Sequence, residues 1–362
     1  MKTTEDAGRA AQGFAVEGML ESVAPYGSGH INDSYCAVFD RGGRRERFLL
    51  QRVNTRIFDD PAALMENIER VTSHLAGKAG RADGSRRVLT LARTRDGRAW
   101  LMDADGDVWR MYRFIEGARS FDVVESGPQA YEAARAFGEF QRMLADLPLP
   151  RLHETLPDFH STPKRLEALK LAIEADGMGR NEEAAREIAF ALEREGVTRL
   201  LVGAGLPERV THNDTKISNV LLDERTGKGI CVIDLETVMP GLAAFDFGDM
   251  VRTMTCPAAE DERDLSKVRM EMGMFEAVAG GYLSVAAGFL TDAERRSLSE
   301  AGRVITLEQG IRFLTDYLEG DRYFKVHRAG QNLDRARAQF RLVEQLEEQA
   351  EAMERVLEGA AG

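Results

Sequence analysis

The 362-residue sequence has little cysteine, no excess of positive charge and no long apolar run. Its three cysteines, Cys36, Cys231 and Cys256, are odd in number and widely spaced. They contain no Cys-x-x-Cys pair, which argues against zinc binding and dithiol redox chemistry and fits small buried hydrophobes in a reducing compartment. The formal net charge of -12 argues against a nucleic-acid-binding surface, although an acidic chain does not repel a cationic small molecule. No apolar stretch approaches the length of a membrane span, and the first residues, Met1-Lys-Thr-Thr-Glu-Asp6, lack the charged and apolar regions of a secretory signal. The expectation is a cytoplasmic protein with neither a membrane nor a nucleic acid as partner, acting as a monomer. Internal repeats and low-complexity linkers are also missing.

What is present is enough apolar material for a substantial core: 43% of residues are hydrophobic. Strand patterns fill the first third. Two are expected within residues 21–40, a third over 44–54, a hairpin from 88–91 and 99–102 around Arg95-Asp-Gly-Arg98, and another strand over 108–115. A helix-compatible stretch lies near residues 15–20, and Pro61 opens a helix with Leu64, Met65, Ile68, Val71 and Leu75 on its apolar face. From residue 126 the pattern turns helical, over 129–147, 164–176, 182–195 and much of 264–358. Four prolines between 148 and 163 mark a loop, and 332–358 reads as one amphipathic helix. The fold class this predicts is α+β. A small antiparallel β-sheet lobe (residues 1–115) precedes a larger, mainly helical lobe (116–362), a bilobal arrangement.

The chain is organised around Thr211-His-Asn-Asp-Thr-Lys-Ile-Ser-Asn219 and the following Val232-Ile-Asp-Leu-Glu236. Asp214 and Asn219 stand five residues apart, as in a kinase catalytic loop, where the aspartate orients and deprotonates an acceptor hydroxyl and the asparagine holds a metal. Asp234 ends the next apolar run, where a second metal ligand is expected. Hard oxygen donors of this kind suit Mg2+. The apolar runs on either side of residues 224–229 read as a hairpin that carries Asn219 and Asp234 together. His212 and Asp246 are expected to brace the loop. The letters Asp246-Phe-Gly-Asp249 mimic a magnesium motif, but they follow a Pro240-Gly turn and open a helix.

In the first lobe, Tyr26-Gly-Ser-Gly-His-Ile-Asn-Asp33 places small residues at a turn between two strands, where freed backbone amides could cover phosphates; an ordinary hairpin turn uses the same glycines. Gly27, Ser28, Gly29 and His30 are therefore candidate nucleotide contacts. The lysine that pairs phosphates from the third strand of a protein kinase is missing. Gln51 or Arg52 stands there, with Arg52 the candidate replacement and Glu66 its candidate partner. Arg is a planar donor fork and not a compact ammonium, so the phosphate clamp differs in detail. The backbone near Met111 and Tyr112 is the candidate hinge for adenine.

With these residues in place, the chain resembles the aminoglycoside phosphotransferase-like family of small-molecule kinases, and within it the N-acetylhexosamine 1-kinases. The match lies in the Gly-Ser-Gly turn, Leu49-Leu-Gln-Arg-Val-Asn54, the 211–219 loop, Val232-Ile-Asp-Leu-Glu-Thr-Val-Met-Pro-Gly241, Asp246-Phe-Gly-Asp249 and Arg312-Phe-Leu-Thr-Asp-Tyr-Leu-Glu-Gly-Asp-Arg-Tyr-Phe-Lys325. The resemblance implies transfer of the ATP γ-phosphoryl group to the anomeric hydroxyl of an N-acetylated hexosamine, with ATP and Mg2+ as cofactors. It also implies that Asp33, Asp214, Arg312, Tyr317 and Tyr323 contact the sugar. Related sequences often carry Asp where Glu236 stands. Two other expectations stay open: an acceptor of the aminoglycoside, choline or homoserine type, and a nucleotide-binding pseudokinase, suggested by the missing lysine.

Overall fold

Thr3 and Asp6 start the structure. In the computed structural model, which describes residues 2–27, 31–80 and 84–360, the Thr3 hydroxyl accepts the Asp6 N–H and the Asp6 carboxylate accepts the Thr3 N–H, both at 3.2 Å. This capping box opens helix α1 (Thr4–Gln12). Residues 15–20, read from sequence as helix-compatible, are not helical. Gly18 sits at φ 103°, where a Cβ would lie 2.4 Å from the Asp40 carbonyl oxygen, and strand pairing begins at Met19.

Strands β1 (Met19–Pro25), β2 (Asp33–Arg41), β3 (Arg44–Arg52), β4 (Trp100–Met102) and β5 (Val108–Arg113) form an antiparallel sheet in the order β1-β2-β3-β5-β4. Strand alternation sends Tyr35, Ala37, Phe39, Phe48, Leu50, Trp109 and Met111 into one core with Ala7, Ala10, Ala11 and Phe14. The opposite parity brings Ser34, Gln51 and Arg110 into register as neighbours. Residues 88–91, expected to be a strand, make only a bridge from Leu91 to Tyr112, supported by Arg113 N–H to Thr90 O. Between β3 and β4 lie α2 (Pro61–Ala79) and the short α3 (Gly84–Arg87). Asp60 caps α2 by accepting the Ala63 N–H at 2.9 Å, Pro61 occupies its first turn, and Leu64, Met65, Ile68, Val71 and Leu75 are buried.

The chain divides into two compact units: Met1–Ala118 with Asp146–Leu156 and Ile230–Met239, and Arg119–Ala145 with Pro157–Gly229 and Pro240–Gly362. The second unit is helical: α4 (Gly127–Leu144), α5 (Thr162–Ala175), α6 (Ala185–Glu193), α7 (Ala243–Met254), α8 (Met272–Ala286), α9 (Asp292–Leu318), α10 (Gln331–Glu348) and α11 (Ala350–Ala360). Leu307, Ile311 and Leu314 of α9 join Leu166, Leu169, Leu333 and Phe340 in its core. Gly248 brings α7 against α9, since a Cβ there would meet the Ala301 carbonyl oxygen at 2.4 Å. The single C-terminal helix read from sequence is two, broken at Gln349, whose side chain donates to the Met270 carbonyl at 3.1 Å. Among the described residues no helix is long and apolar enough to cross a membrane.

Candidate active site

In the second unit, a short strand, Arg209–Thr211, delivers the chain to the 212–219 loop. Arg209 anchors it by pairing with buried Glu294, which also closes the capping box of α9. Asn213 takes φ 64°, a left-handed conformation that Asn tolerates better than most residues. Asp246, wholly buried on α7, accepts the N–H groups of His212 at 2.9 Å and Asn213 at 2.7 Å, and the Gln141 amide at 2.6 Å. Burial pushes its carboxyl up, against the pull of these donors and of the His212 ring. Asp249 accepts the Thr215 N–H at 2.7 Å, and the Thr215 hydroxyl donates to the Asp246 carbonyl at 2.6 Å. Two successive turns of one helix thus hold the loop backbone at three amides, two before Asp214 and one after it.

The side chains on this frame converge. Asp214 N–H donates to His212 Nδ1 at 3.3 Å, and the His212 ring meets Phe137 and Phe140 edge-on. Asn219 Nδ2 donates to the Asp214 carboxylate at 2.9 Å, and Lys216 Nζ lies 2.9 Å from the same Oδ2. Burial would raise the Asp214 carboxyl, but Lys216, the His212 ring and the Asn219 amide hold it below its ordinary value. The group is ionised at neutral pH and aimed by two side-chain donors. Lys216, which the sequence reading passed over, sits two residues beyond Asp214.

A second feature escaped the sequence reading because its members are far apart. His160, from the proline-rich loop, places Nδ1 2.8 Å from Glu308 of α9 and Nε2 3.0 Å from the Asn213 carbonyl. Both ring nitrogens face acceptors, which suits the imidazolium. Burial opposes the charge, and Glu308 more than restores it, raising the His160 value.

Beside His160, the Arg312 guanidinium lies over Phe159 at 5.1 Å, Phe324 at 5.5 Å and Tyr323 at 5.9 Å from the ring centroids. Arg312 donates to Gln309 at 3.0 Å, and Arg165 donates to the Phe159 carbonyl at 3.0 Å. Arg165 Nε is buried without a hydrogen-bond partner, and its value is lowered by burial and then by Arg312. Tyr323 is 62% exposed, whereas Tyr317 is 3% exposed, stacked under Arg180 and donating to Glu183 at 2.7 Å. Burial and Glu183 push the Tyr317 phenol up to about 12. Asp316, between these residues, gathers the N–H groups of Arg322, Tyr323 and Phe324 at 2.7–2.9 Å and so folds the segment that displays Tyr323.

In the first unit, Asp234 follows the strand Gly229–Val232 at φ 63°, ψ 58° and opens a turn, Leu235–Thr237. Glu236 is 3% exposed and pairs with Arg110, which burial makes costly and Glu236 more than compensates, raising the guanidinium. Arg52 does not reach Glu66. Its Nε and Nη2 donate to Asp33 at 2.9 and 2.6 Å and its Nη1 to Asp107 at 2.8 Å, while Glu66 meets His153 at 2.9 Å. Arg52 and Asp33, candidates for the phosphates and the sugar, are therefore bound to each other. Met111 and Tyr112 lie within β5: Met111 is a core residue whose carbonyl accepts the Ala92 N–H at 2.8 Å, and Tyr112 is 2% exposed. Gly27 takes φ 78° at the end of β1; Ser28, Gly29 and His30 lie outside the described residues.

This fold and loop define a class. Residues 22–280 match the phosphotransferase enzyme family, and the chain belongs to it. Among solved structures it is similar to a microcompartment-associated aminopropanol kinase, at a TM-score of 0.63 and 17% identity, covering 97% of this chain and 98% of that one. It is also similar to a choline kinase from Cryptosporidium parvum Iowa II (TM-score 0.57, 14% identity, 93% and 91% covered). A third is a spectinomycin phosphotransferase in complex with ADP and spectinomycin (TM-score 0.55, 12% identity, 98% and 99% covered). The fold is the bilobal kinase-like one, and the chain is a small-molecule phosphotransferase.

Proposed function

We propose that this protein transfers the γ-phosphoryl group of ATP to the anomeric hydroxyl of an N-acetylhexosamine such as GlcNAc or GalNAc, giving the 1-phosphate. The observation that carries the phosphoryl-transfer part is the ionised Asp214, aimed by Asn219 and Lys216 on a loop clamped from below by Asp246 and Asp249. In this reading Asp214 orients the acceptor hydroxyl and takes its proton, and Lys216 offsets charge on the transferring group. The anomeric hydroxyl is the most acidic on a sugar, which suits a carboxylate whose basicity is low.

Magnesium fits the donors at each position. Both Asn219 Nδ2 bonds run to Asp214, one to its carboxylate and one to its carbonyl, so the amide oxygen is the atom left for a hard cation. Asp234 offers a carboxylate. When bound, the ion would neutralise the phosphates; the protein's own part is to hold these oxygens and the acceptor in place.

The acceptor class rests on Arg165 and Arg312. The loop carrying Phe159 and His160 connects them to Asn213, the neighbour of Asp214. Among the described residues neither guanidinium makes an ion pair within the second unit. Two cations at this place disfavour an ammonium-bearing acceptor, while their donors and the Phe159, Tyr323 and Phe324 rings suit a neutral sugar with a carbonyl acceptor in its N-acetyl group. The comparison that decides is ADP release across N-acetylhexosamines, free hexoses, aminoglycosides, choline and homoserine, with the phosphorylated atom assigned by NMR. Turnover confined to the amino alcohols would overturn the sugar reading and leave the kinase reading intact; no turnover and no phosphoryl transfer to any acceptor would favour a nucleotide-binding protein without chemistry.

A further inference from the structure

Arg110 takes no part in the reaction outlined above, yet its surroundings are built. It is 1% exposed on β5, opposite Gln51 of β3. Gln51 Oε1 accepts both Nε and Nη2 of Arg110, at 3.0 and 2.8 Å, and Gln51 Nε2 donates to Ser34 Oγ at 3.0 Å. The strand amide is thereby locked with its oxygen toward the guanidinium. Arg110 Nη2 also donates to Glu236 Oε1, and Asn32 Nδ2 reaches the same oxygen.

Other bonds fix the main chain that carries Glu236. Its carbonyl accepts the Thr155 hydroxyl at 2.9 Å, and the Val238 carbonyl accepts the Asn67 amide of α2 at 3.4 Å. Asp234, two residues earlier, is in the left-handed region and caps the short turn Leu235–Thr237 that contains Glu236. A carboxylate buried as Glu236 is needs a cation, and Arg110 is the cation that this face of the sheet provides. The arrangement is also unfinished: Arg110 Nη1, Glu236 Oε2 and Tyr112 Oη are buried without hydrogen-bond partners. Buried polar atoms left open in one cluster mark a place where a further polar group belongs.

We propose that Arg110 is a positioning residue: through Glu236 and the turn that carries it, Arg110 holds Asp234 in its left-handed conformation with the carboxylate presented to a magnesium–nucleotide, supplying from β5 a cation in place of the missing β3 lysine. Protein kinases need both a cation–carboxylate pair in the nucleotide-binding half and a magnesium-binding aspartate in place. Here the pair is Arg110 with Glu236, and Arg52 is spent on Asp33 and Asp107. The inference rests on reading Asp234 as a magnesium ligand.

The test uses the full chain and ADP as probe, measuring ADP affinity by calorimetry with and without Mg2+, so that no acceptor is needed. Arg110→Met and Glu236→Leu should each reduce the magnesium-dependent gain in ADP affinity by about 10–100-fold, the range for a residue that orients a metal ligand. Magnesium-free ADP affinity should stay unchanged. The double variant should lose no more than the worse single one, because the two residues act in one chain, and Arg110→Lys should recover part of the loss. If a single variant fails to fold, the double one, with an apolar pair in place of the buried ions, is expected to fold and is read alone. A folded Arg110→Met or double variant with the wild-type gain would overturn the proposal, as would losses that multiply. Wild-type protein showing no gain from Mg2+ would overturn the kinase reading as well; a normal wild-type gain with unaffected variants would overturn this inference only.

Discussion

Asn219 donates through one amide nitrogen to both the main-chain carbonyl of Asp214, at 2.8 Å, and its carboxylate, at 2.9 Å. The five-residue spacing thus sets two geometries together: the aim of the Asp214 carboxylate and the direction of the Asn219 oxygen. Asp214→Asn keeps the shape but removes the charge and the proton acceptor. Turnover should fall by about 10²–10⁴-fold, toward the lower end if the acceptor is an anomeric hydroxyl. ADP affinity, measured alongside, should stay close to wild type; near-normal turnover would show that the proton goes elsewhere.

Asn219→Ala should act on Asp214 as well as on magnesium. The Mg2+ concentration for half-maximal rate should rise and the maximal rate should fall, because the aspartate loses a donor as the cation loses an oxygen. A steady-state Mg2+ titration separates these effects, and an unchanged midpoint would remove Asn219 from the metal.

The Arg52 guanidinium is paired with Asp33 and Asp107. Arg52→Ala should lower stability by about 1.5–3 kcal/mol through lost charged hydrogen bonds, discounted for its partial exposure. The ATP KM should remain within about twofold, far short of the tenfold that 1.4 kcal/mol of lost binding would cause. A large rise in ATP KM with stability intact would return Arg52 to the phosphates.

The His160–Glu308 pair sets a pH dependence. His160 is raised in the folded state, so its contribution is fully present below the unfolded histidine value of about 6.5 and is lost as pH rises through the folded one. Glu308 is lowered against its burial by His160, so its contribution is present above its unfolded value and is lost as pH falls through the folded one. Denaturant melts of wild type and His160→Phe across pH should differ most between those limits. His160→Phe should cost about 3–5 kcal/mol there by leaving Glu308 buried and unpaired. A difference that does not vary with pH would mean the ring acts by shape alone.

Arg312→Ala should raise the acceptor KM by about tenfold, the value of one charge-assisted hydrogen bond, and leave the ATP KM unchanged. Arg312→Glu should go further for a neutral sugar and improve an amino-alcohol acceptor, because the charge facing it reverses. Equal loss for every acceptor would place Arg312 in the scaffold.

Local pattern determined much of this protein from sequence. Period-2 and period-3.6 spacing marked the antiparallel sheet, the apolar face of α2 and the helical remainder, because those periods follow from backbone geometry alone. The 211–219 motif was legible for the same reason, its members lying within two turns of chain. Short-range readings failed where a distant group intervened: Asp40 beside Gly18 goes with a bend and a strand start in place of a helix over residues 15–20, and the Met270 carbonyl accepts from Gln349 where the last helix breaks. The charges around the candidate site were decided only by tertiary structure. Arg110 and Glu236 are 126 residues apart and His160 and Glu308 148 apart, and neither pair has a spacing that a helix or strand imposes. Burial makes each of these ions costly alone, so folding settles their partners, and those partners commit Arg110 to Glu236 and Arg52 to Asp33.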